Sequence, residues 1–131
     1  MAEDKVKVLD HLQIERKITR IAHEIYERNY KEKELVIIGV HDRGAEIAAI
    51  ISALLKNISP IVIHEMTITL NKKKPLSEPI RLDGDEGTIK KKTVILVDDV
   101  LNSGKTLIHA AQFILTCDPK ALSTATLVDR F

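Results

Sequence analysis

The sequence predicts an α/β fold, a mostly parallel, twisted sheet flanked by helices. Three observations carry that prediction. Leu35–Val40 and Thr93–Val97 are continuous apolar runs, the pattern of strands buried on both faces. Segments with helical spacing of apolar residues stand between such runs. The order is helix, strand, helix, strand, long loop, strand, helix, strand, the alternation that builds parallel sheets through crossover helices.

The elements follow in chain order. Asp10 is an N-cap candidate and Gln13, three residues on, completes a capping box. Leu12, Ile18, Ile21, Ala22 and Ile25 then recur at helical spacing to about Asn29. After a charged connector, Leu35–Val40 forms the first strand and His41–Gly44 a turn. Ala45–Lys56 reads as a helix that is apolar on most sides. Pro60 precedes a β-branched second strand, Ile61–Thr69. Residues 71–92 hold two prolines, two glycines and two three-lysine runs, and are expected to form a long mobile loop over about 70–92. Thr93–Val97 is the third strand. A helix from Gly104 to about Thr116 follows, broken by Asp118-Pro119, and Ala121–Val128 is the fourth strand.

At 131 residues, with 44% hydrophobic residues and no internal repeat or domain boundary, residues 1–131 are expected to form one domain. Lys and Arg number 20 against 19 Asp and Glu, which leaves no electrostatic footprint for bulk nucleic-acid or membrane binding. The four aromatics and absent Trp argue against a stacking platform for single strands. The single cysteine, Cys117, excludes an internal disulfide. The charged N-terminus lacks the apolar segment of a secretory signal, and the longest apolar run is too short to span a bilayer. The expectation is a soluble cytoplasmic protein.

The chemistry concentrates in Val94–Thr106, VILVDDVLNSGKT. A P-loop would need glycine five positions before Gly104, and that position is Asp99. A carboxylate there would repel a polyphosphate. The second half still suits one phosphate group. Asn102, Ser103 and Gly104 make a tight turn at a helix N-terminus, where unpaired N–H groups and the helix dipole favour an anion. Ser103 and Thr106 add hydroxyl donors. The carboxylates of Asp98 and Asp99 only accept hydrogen bonds, which fits sugar hydroxyls or a hydrated magnesium ion. A ribose 5′-phosphate meets both needs; an acidic turn and N-cap of purely structural purpose also fits this spacing.

The segment resembles the phosphoribosyl-diphosphate (PRPP) signature of type I phosphoribosyltransferases at every fixed position. The resemblance extends through VLDHLQIERKITRIAHEIYERN, VIIGVHDRGAEIA, MTITLN and ATLVDR, from about Val8 to Arg130. Together these resemble the bifunctional pyrimidine operon attenuation regulator and uracil phosphoribosyltransferase subfamily. The resemblance implies a Rossmann-like core and transfer of the phosphoribosyl group of PRPP to a nucleobase, uracil above others. It implies magnesium brought with PRPP, no separate protein-held metal, and a homo-oligomer, a dimer or larger.

By position, Asp98 and Asp99 would bind the ribose hydroxyls, Asp99 being the more catalytically sensitive. Asn102, Ser103, Gly104, Lys105 and Thr106 would cradle the 5′-phosphate. Arg43 and Gly44, in the loop from Val40, would meet the pyrophosphate. Val128, Asp129 and Arg130 would lie beside the base, and the long loop would close as a hood.

Three departures stand out. His41 and Asp42 replace basic or hydroxyl residues of the pyrophosphate loop. Asn71-Lys72-Lys73-Lys74 replaces an aromatic, an arginine and two acids. Subfamily members continue past the position of Phe131 into a segment that completes the base pocket and part of the sheet, so the base site is expected to be incomplete. The alternative function is a non-catalytic regulator of pyrimidine operon expression that binds PRPP or nucleotide, with RNA as a further partner. A receiver-type signalling domain fits less well, because its acidic pair lies on an early strand. The five histidines are scattered and lack metal-site spacing; only His41, at a strand end, is placed to touch a ligand.

Overall fold

A computed structural model describes the backbone of residues 2–71, 79–101 and 104–129, and their side chains except at 2–11, 100–101 and 128–129. The elements are α1 (Ala2–Asn29), β1 (Glu34–Val40), α2 (Arg43–Ile58), β2 (Val62–Thr69), β3 (Arg81–Asp83), α3 (Glu86–Ile89), β4 (Thr93–Leu101), α4 (Lys105–Leu115) and β5 (Ala121–Asp129). They form one five-stranded sheet in the order β3-β2-β1-β4-β5. β2, β1, β4 and β5 run parallel, and β3 is antiparallel to β2.

The expected fold class holds. The unbroken apolar runs of β1 and β4 occupy adjacent interior positions, where both faces are covered. Leu35, Ile37, Ile95 and Val97 pack with α1 and α2 on one side. Val36, Ile38, Val40, Val94 and Leu96 pack with Leu107, Ala110 and Ile114 of α4 and with Ile89 on the other. Period-2 alternation within the strands thus divides one apolar run between two cores. Each fully buried Ile or Leu contributes about 1.5–3 kcal/mol relative to exposure.

Four boundaries differ from the sequence reading, the first being β4, which runs on past Val97 to Leu101. α1 begins at Ala2 and runs straight through Asp10. Ala2–Leu9 is rich in Ala, Glu, Lys and Leu, all strong helix formers, and Glu3 and Asp4 suit the positive end of the dipole. α2 begins at Arg43, so Arg43 and Gly44 are its first two residues and only His41 and Asp42 form the turn. The expected loop over 70–92 contains β3 and α3. Ile80-Arg81-Leu82-Asp83 alternates apolar and polar and ends at Gly84, a strand signal hidden by its short length. Lys72–Glu78 lie outside the described residues.

The chain path sets the location of a site. From β1 it moves through α2 to β2 on one side; from β4 it moves through α4 to β5 on the other. β1 and β4 are neighbours, so the order reverses between them. Crevices open at such switch points, outside the carboxyl ends of the strands.

Candidate active site

The carboxyl ends of β1 and β4 deliver the His41-Asp42 turn, the start of α2 at Arg43 and Gly44, and Asp98 and Asp99 to the same end of the sheet. Contact between them is close. A Cβ on Gly44 would stand 2.5 Å from the Val97 carbonyl oxygen, 3.0 Å from Asp98 Cα and 3.3 Å from Asp98 Oδ1. Only glycine lets the first turn of α2 rest on the end of β4.

Asp98 is 96% buried, while Asp99, the next residue of the strand, is half-buried. Successive strand residues face opposite ways, so the two carboxylates occupy different environments. The Asp99 backbone N–H donates to Asp98 Oδ1 at 2.8 Å. That bond holds the buried carboxylate in one orientation at the strand end.

Gly104 opens the first turn of α4. Gly104 is the N-cap with φ 77° and ψ −7°, a left-handed conformation that favours glycine. The Ile108 N–H donates to the Gly104 carbonyl at 2.8 Å, closing the first helical turn. Lys105 is exposed and Thr106 half-buried in that turn. Asn102 and Ser103, predicted to share the cradle, lie outside the described residues. The backbone of Val128 and Asp129 pairs with Val100 and Leu101, which puts the base-binding candidates at the same sheet end. Arg130 lies outside the described residues.

The structure adds a cavity that sequence reasoning reached only in part. It measures 770 Å³ and opens beside His41 and Asp42, with Glu46 of α2, Thr67 and Thr69 of β2, and Arg81 and Asp83 of β3. His41 and Asp42 were singled out from the sequence; Glu46, Thr67, Thr69, Arg81 and Asp83 were not. Their convergence depends on β3 pairing with β2, Thr67 opposite Asp83 and Thr69 opposite Arg81. The His41 N–H donates to the Ile68 carbonyl at 2.9 Å, tying the turn to β2. His41 Nδ1 and Asp42 Oδ1 are 3.9 Å apart, both largely exposed. Asp42 occupies the N-cap position of α2, but its side chain makes no capping bond.

The remaining histidine of note, His64, is remote from this site. Its Nε2 lies 3.0 Å from Glu34 Oε1, and Lys92 Nζ is 3.5 Å from Glu34 Oε2, at the amino ends of β1 and β4. The hydrogen bond from His64, reinforced by Lys92, holds the Glu34 carboxyl below the usual glutamate range. Cys117 is half-buried, and burial pushes its thiol upward, away from reactivity.

Comparison with known proteins agrees with this geometry. The bifunctional protein PyrR of Bacillus pumilus is 35% identical over 137 residues, covering 98% of this chain and 76% of that protein. The PyrR of Clostridium acetobutylicum is 38% identical over 133 residues, covering 96% and 75%. Among solved structures, a purine phosphoribosyltransferase from Pyrococcus horikoshii superposes with a TM-score of 0.69 at 29% identity, covering 90% of this chain and 74% of that one. A hypoxanthine-guanine phosphoribosyltransferase from Bacillus anthracis gives 0.68 at 28% identity, covering 89% and 66%. The chain thus spans about three quarters of these curated relatives and slightly less than two thirds of that last structure. The sequence profile of the phosphoribosyl transferase domain matches residues 6–131. With that match, the buried acid at the end of β4 and the left-handed glycine that opens α4 fall into place: the chain belongs to the phosphoribosyl transferase domain family.

Proposed function

We propose that this protein transfers the phosphoribosyl group of PRPP to uracil, releasing pyrophosphate and forming UMP. The observation that carries this reading is the pairing of Asp98 and Asp99 at the end of β4 with the glycine-opened turn into α4. Acceptors on one side and backbone donors on the other match a ribose 5′-phosphate. The relatives named bifunctional PyrR support a pyrimidine over the purines of the structural neighbours.

In the reaction the bond from the ribose anomeric carbon to pyrophosphate breaks as the bond to a base nitrogen forms. Positive charge gathers on the ribose ring and negative charge on the leaving group. Asp99, half-buried and beside the ribose, stabilises the positive charge; Asp98 fixes the sugar through its hydroxyls. Asn102 to Thr106 hold the 5′-phosphate. Arg43, at the start of α2, faces the pyrophosphate, and Val128, Asp129 and Arg130 border the base. Preorganised charges of this kind are the expected main source of rate. Magnesium suits the oxygen donors of this site, Asp98 and Asp99, together with substrate phosphates. When bound it offsets leaving-group charge. We infer that the ion would enter with PRPP. A cytoplasmic location fits a chain with one cysteine and, among the described residues, no helix long and apolar enough to cross a membrane.

A second reading is a regulator that binds PRPP or nucleotide without turnover. The exposed Asp42 carboxylate, in the turn that would face pyrophosphate, favours it. One assay separates the two. Labelled uracil, PRPP and magnesium should yield UMP; PRPP binding without product would leave the regulator. Hypoxanthine and guanine in parallel reactions test the choice of base.

A further inference from the structure

The His41-Asp42 turn carries a charge of the wrong sign for a pyrophosphate. Asp42 is 77% exposed, makes no capping bond to α2 and lines the 770 Å³ cavity. Glu46 and Asp83 line the same cavity, and Arg81 is the arginine set against these three acids. Strand register places it. Arg81 pairs with Thr69 and Asp83 with Thr67 in the antiparallel β2-β3 pair, so all four side chains stand on one face. Thr69 ends β2, at the carboxyl end of the sheet. Asp83 lies two residues, about 7 Å, behind Arg81. Glu46 lies four residues, about 6 Å, into α2 from Asp42. The cavity mouth therefore holds Arg81 across from the His41-Asp42 turn, and the other two acids stand back from it.

We propose that Arg81 is a further binding residue for the leaving group, supplying from β3 the positive charge that the turn lacks. The inference rests on the phosphoribosyl-transfer reading above. The turn and β3 are joined through β2: the His41 N–H donates to the Ile68 carbonyl at 2.9 Å, and Thr69, the next residue, pairs with Arg81. β1 and β3 flank β2, two strand spacings or about 10 Å apart. A diphosphate reaching out from the turn and a long arginine side chain reaching in from β3 close that distance together. Arg81 is exposed, and its guanidinium has no hydrogen bond or ion pair among the described residues. None of the cavity's carboxylates has claimed it, and its fixed fork of N–H donors suits phosphate oxygens.

The two charges at the mouth act on the same anion with opposite sign. Arg81 attracts it and Asp42 opposes it. Thr67 and Thr69, on the face that carries Arg81, add hydroxyl donors beside it. Arg81 thus does from the β3 side what a basic residue in the turn would do from the β1 side.

The test is calorimetric titration with inorganic pyrophosphate and, separately, with ribose 5-phosphate, both in magnesium buffer; neither needs turnover. Arg81→Gln should weaken pyrophosphate binding about tenfold or more. Ribose 5-phosphate, held at the turn into α4, should bind as before. Arg81→Lys keeps the charge without the fork and should fall between wild type and Arg81→Gln. Asp42→Asn should tighten pyrophosphate a few-fold. Lys120→Gln removes the same charge at the amino end of β5 and should change neither titration. Pyrophosphate affinity indifferent to Arg81→Gln, or lowered equally by Lys120→Gln, overturns the inference, while ribose 5-phosphate binding leaves the phosphoribosyl-transfer reading standing. Should Arg81→Gln fail to fold, an Asp42→Asn variant no tighter than wild type overturns it in the same way. A wild type that binds neither ligand overturns that reading and the inference with it.

Discussion

Gly44 rests against Asp98: the hydrogen that glycine carries in place of a Cβ points at the end of β4, 3.3 Å short of Asp98 Oδ1 in the position a carbon would take. The closer obstacle is the Val97 carbonyl oxygen at 2.5 Å, a backbone atom that no rotamer change moves. This contact joins the start of α2 to the acids of β4, and hence joins the two halves of the site.

Gly44→Ala should accordingly separate α2 from β4. Overpacking of this kind costs about 1–3 kcal/mol. Urea denaturation should show that loss, and PRPP affinity should fall because Arg43 moves with the helix. Wild-type stability together with wild-type PRPP binding would sink this account of the contact.

Asp99→Asn should lower kcat/KM without destabilising the fold. A hydrogen bond to a charged group is worth roughly 1.5–3 kcal/mol, which corresponds to a loss of about 10- to 150-fold. Steady-state kinetics and thermal melts on the same preparation check both halves. An unchanged kcat/KM would remove Asp99 from the chemistry.

Gly104→Ala should strain the turn into α4. A residue with a Cβ in the left-handed region costs about 1–2 kcal/mol. The chain should relieve that strain by shifting the turn, so KM for PRPP should rise more than kcat falls. A variant with unaltered KM would mean that the turn does not hold the phosphate.

Glu34 sets an acid-sensitive element on the far end of the sheet. Its carboxyl is held below the usual glutamate range by the His64 hydrogen bond and by Lys92. A depressed folded-state pKa gives stability that is present above the ordinary glutamate pKa. That stability disappears as pH falls through the lowered value. Glu34→Gln should therefore melt earlier than wild type at neutral pH, with the gap closing as pH drops below the ordinary glutamate range. Melting curves across that range decide it; a gap that widens on acidification contradicts the assignment.

Ser52 is buried within α2, and its hydroxyl has no hydrogen-bond partner among the described residues. Desolvating an unpaired hydroxyl is unfavourable, so Ser52→Ala should stabilise by about 1 kcal/mol. Calorimetry should register a melting point a few degrees higher. A lower one would reveal a partner for the hydroxyl.

What the sequence determined by itself was local. Apolar runs over residues 35–40 and 93–97, helical spacing after Gly104, and the Val94–Thr106 signature identified the sheet's interior, the adjacent acids and the start of α4. Each such signal lies within a few residues, where spacing sets the strand and helix faces. Only the tertiary structure decided that Gly44 lies against Asp98, that Arg81 and Asp83 reach the cavity through β3, and that Glu34 meets His64. Those partners are 54, 12 to 16, and 30 positions apart in their respective pairs, counting β3 to β2 by register. Nothing in a chain's local pattern encodes such meetings. They follow from strand order, and strand order follows from how the two apolar faces of one sheet are covered.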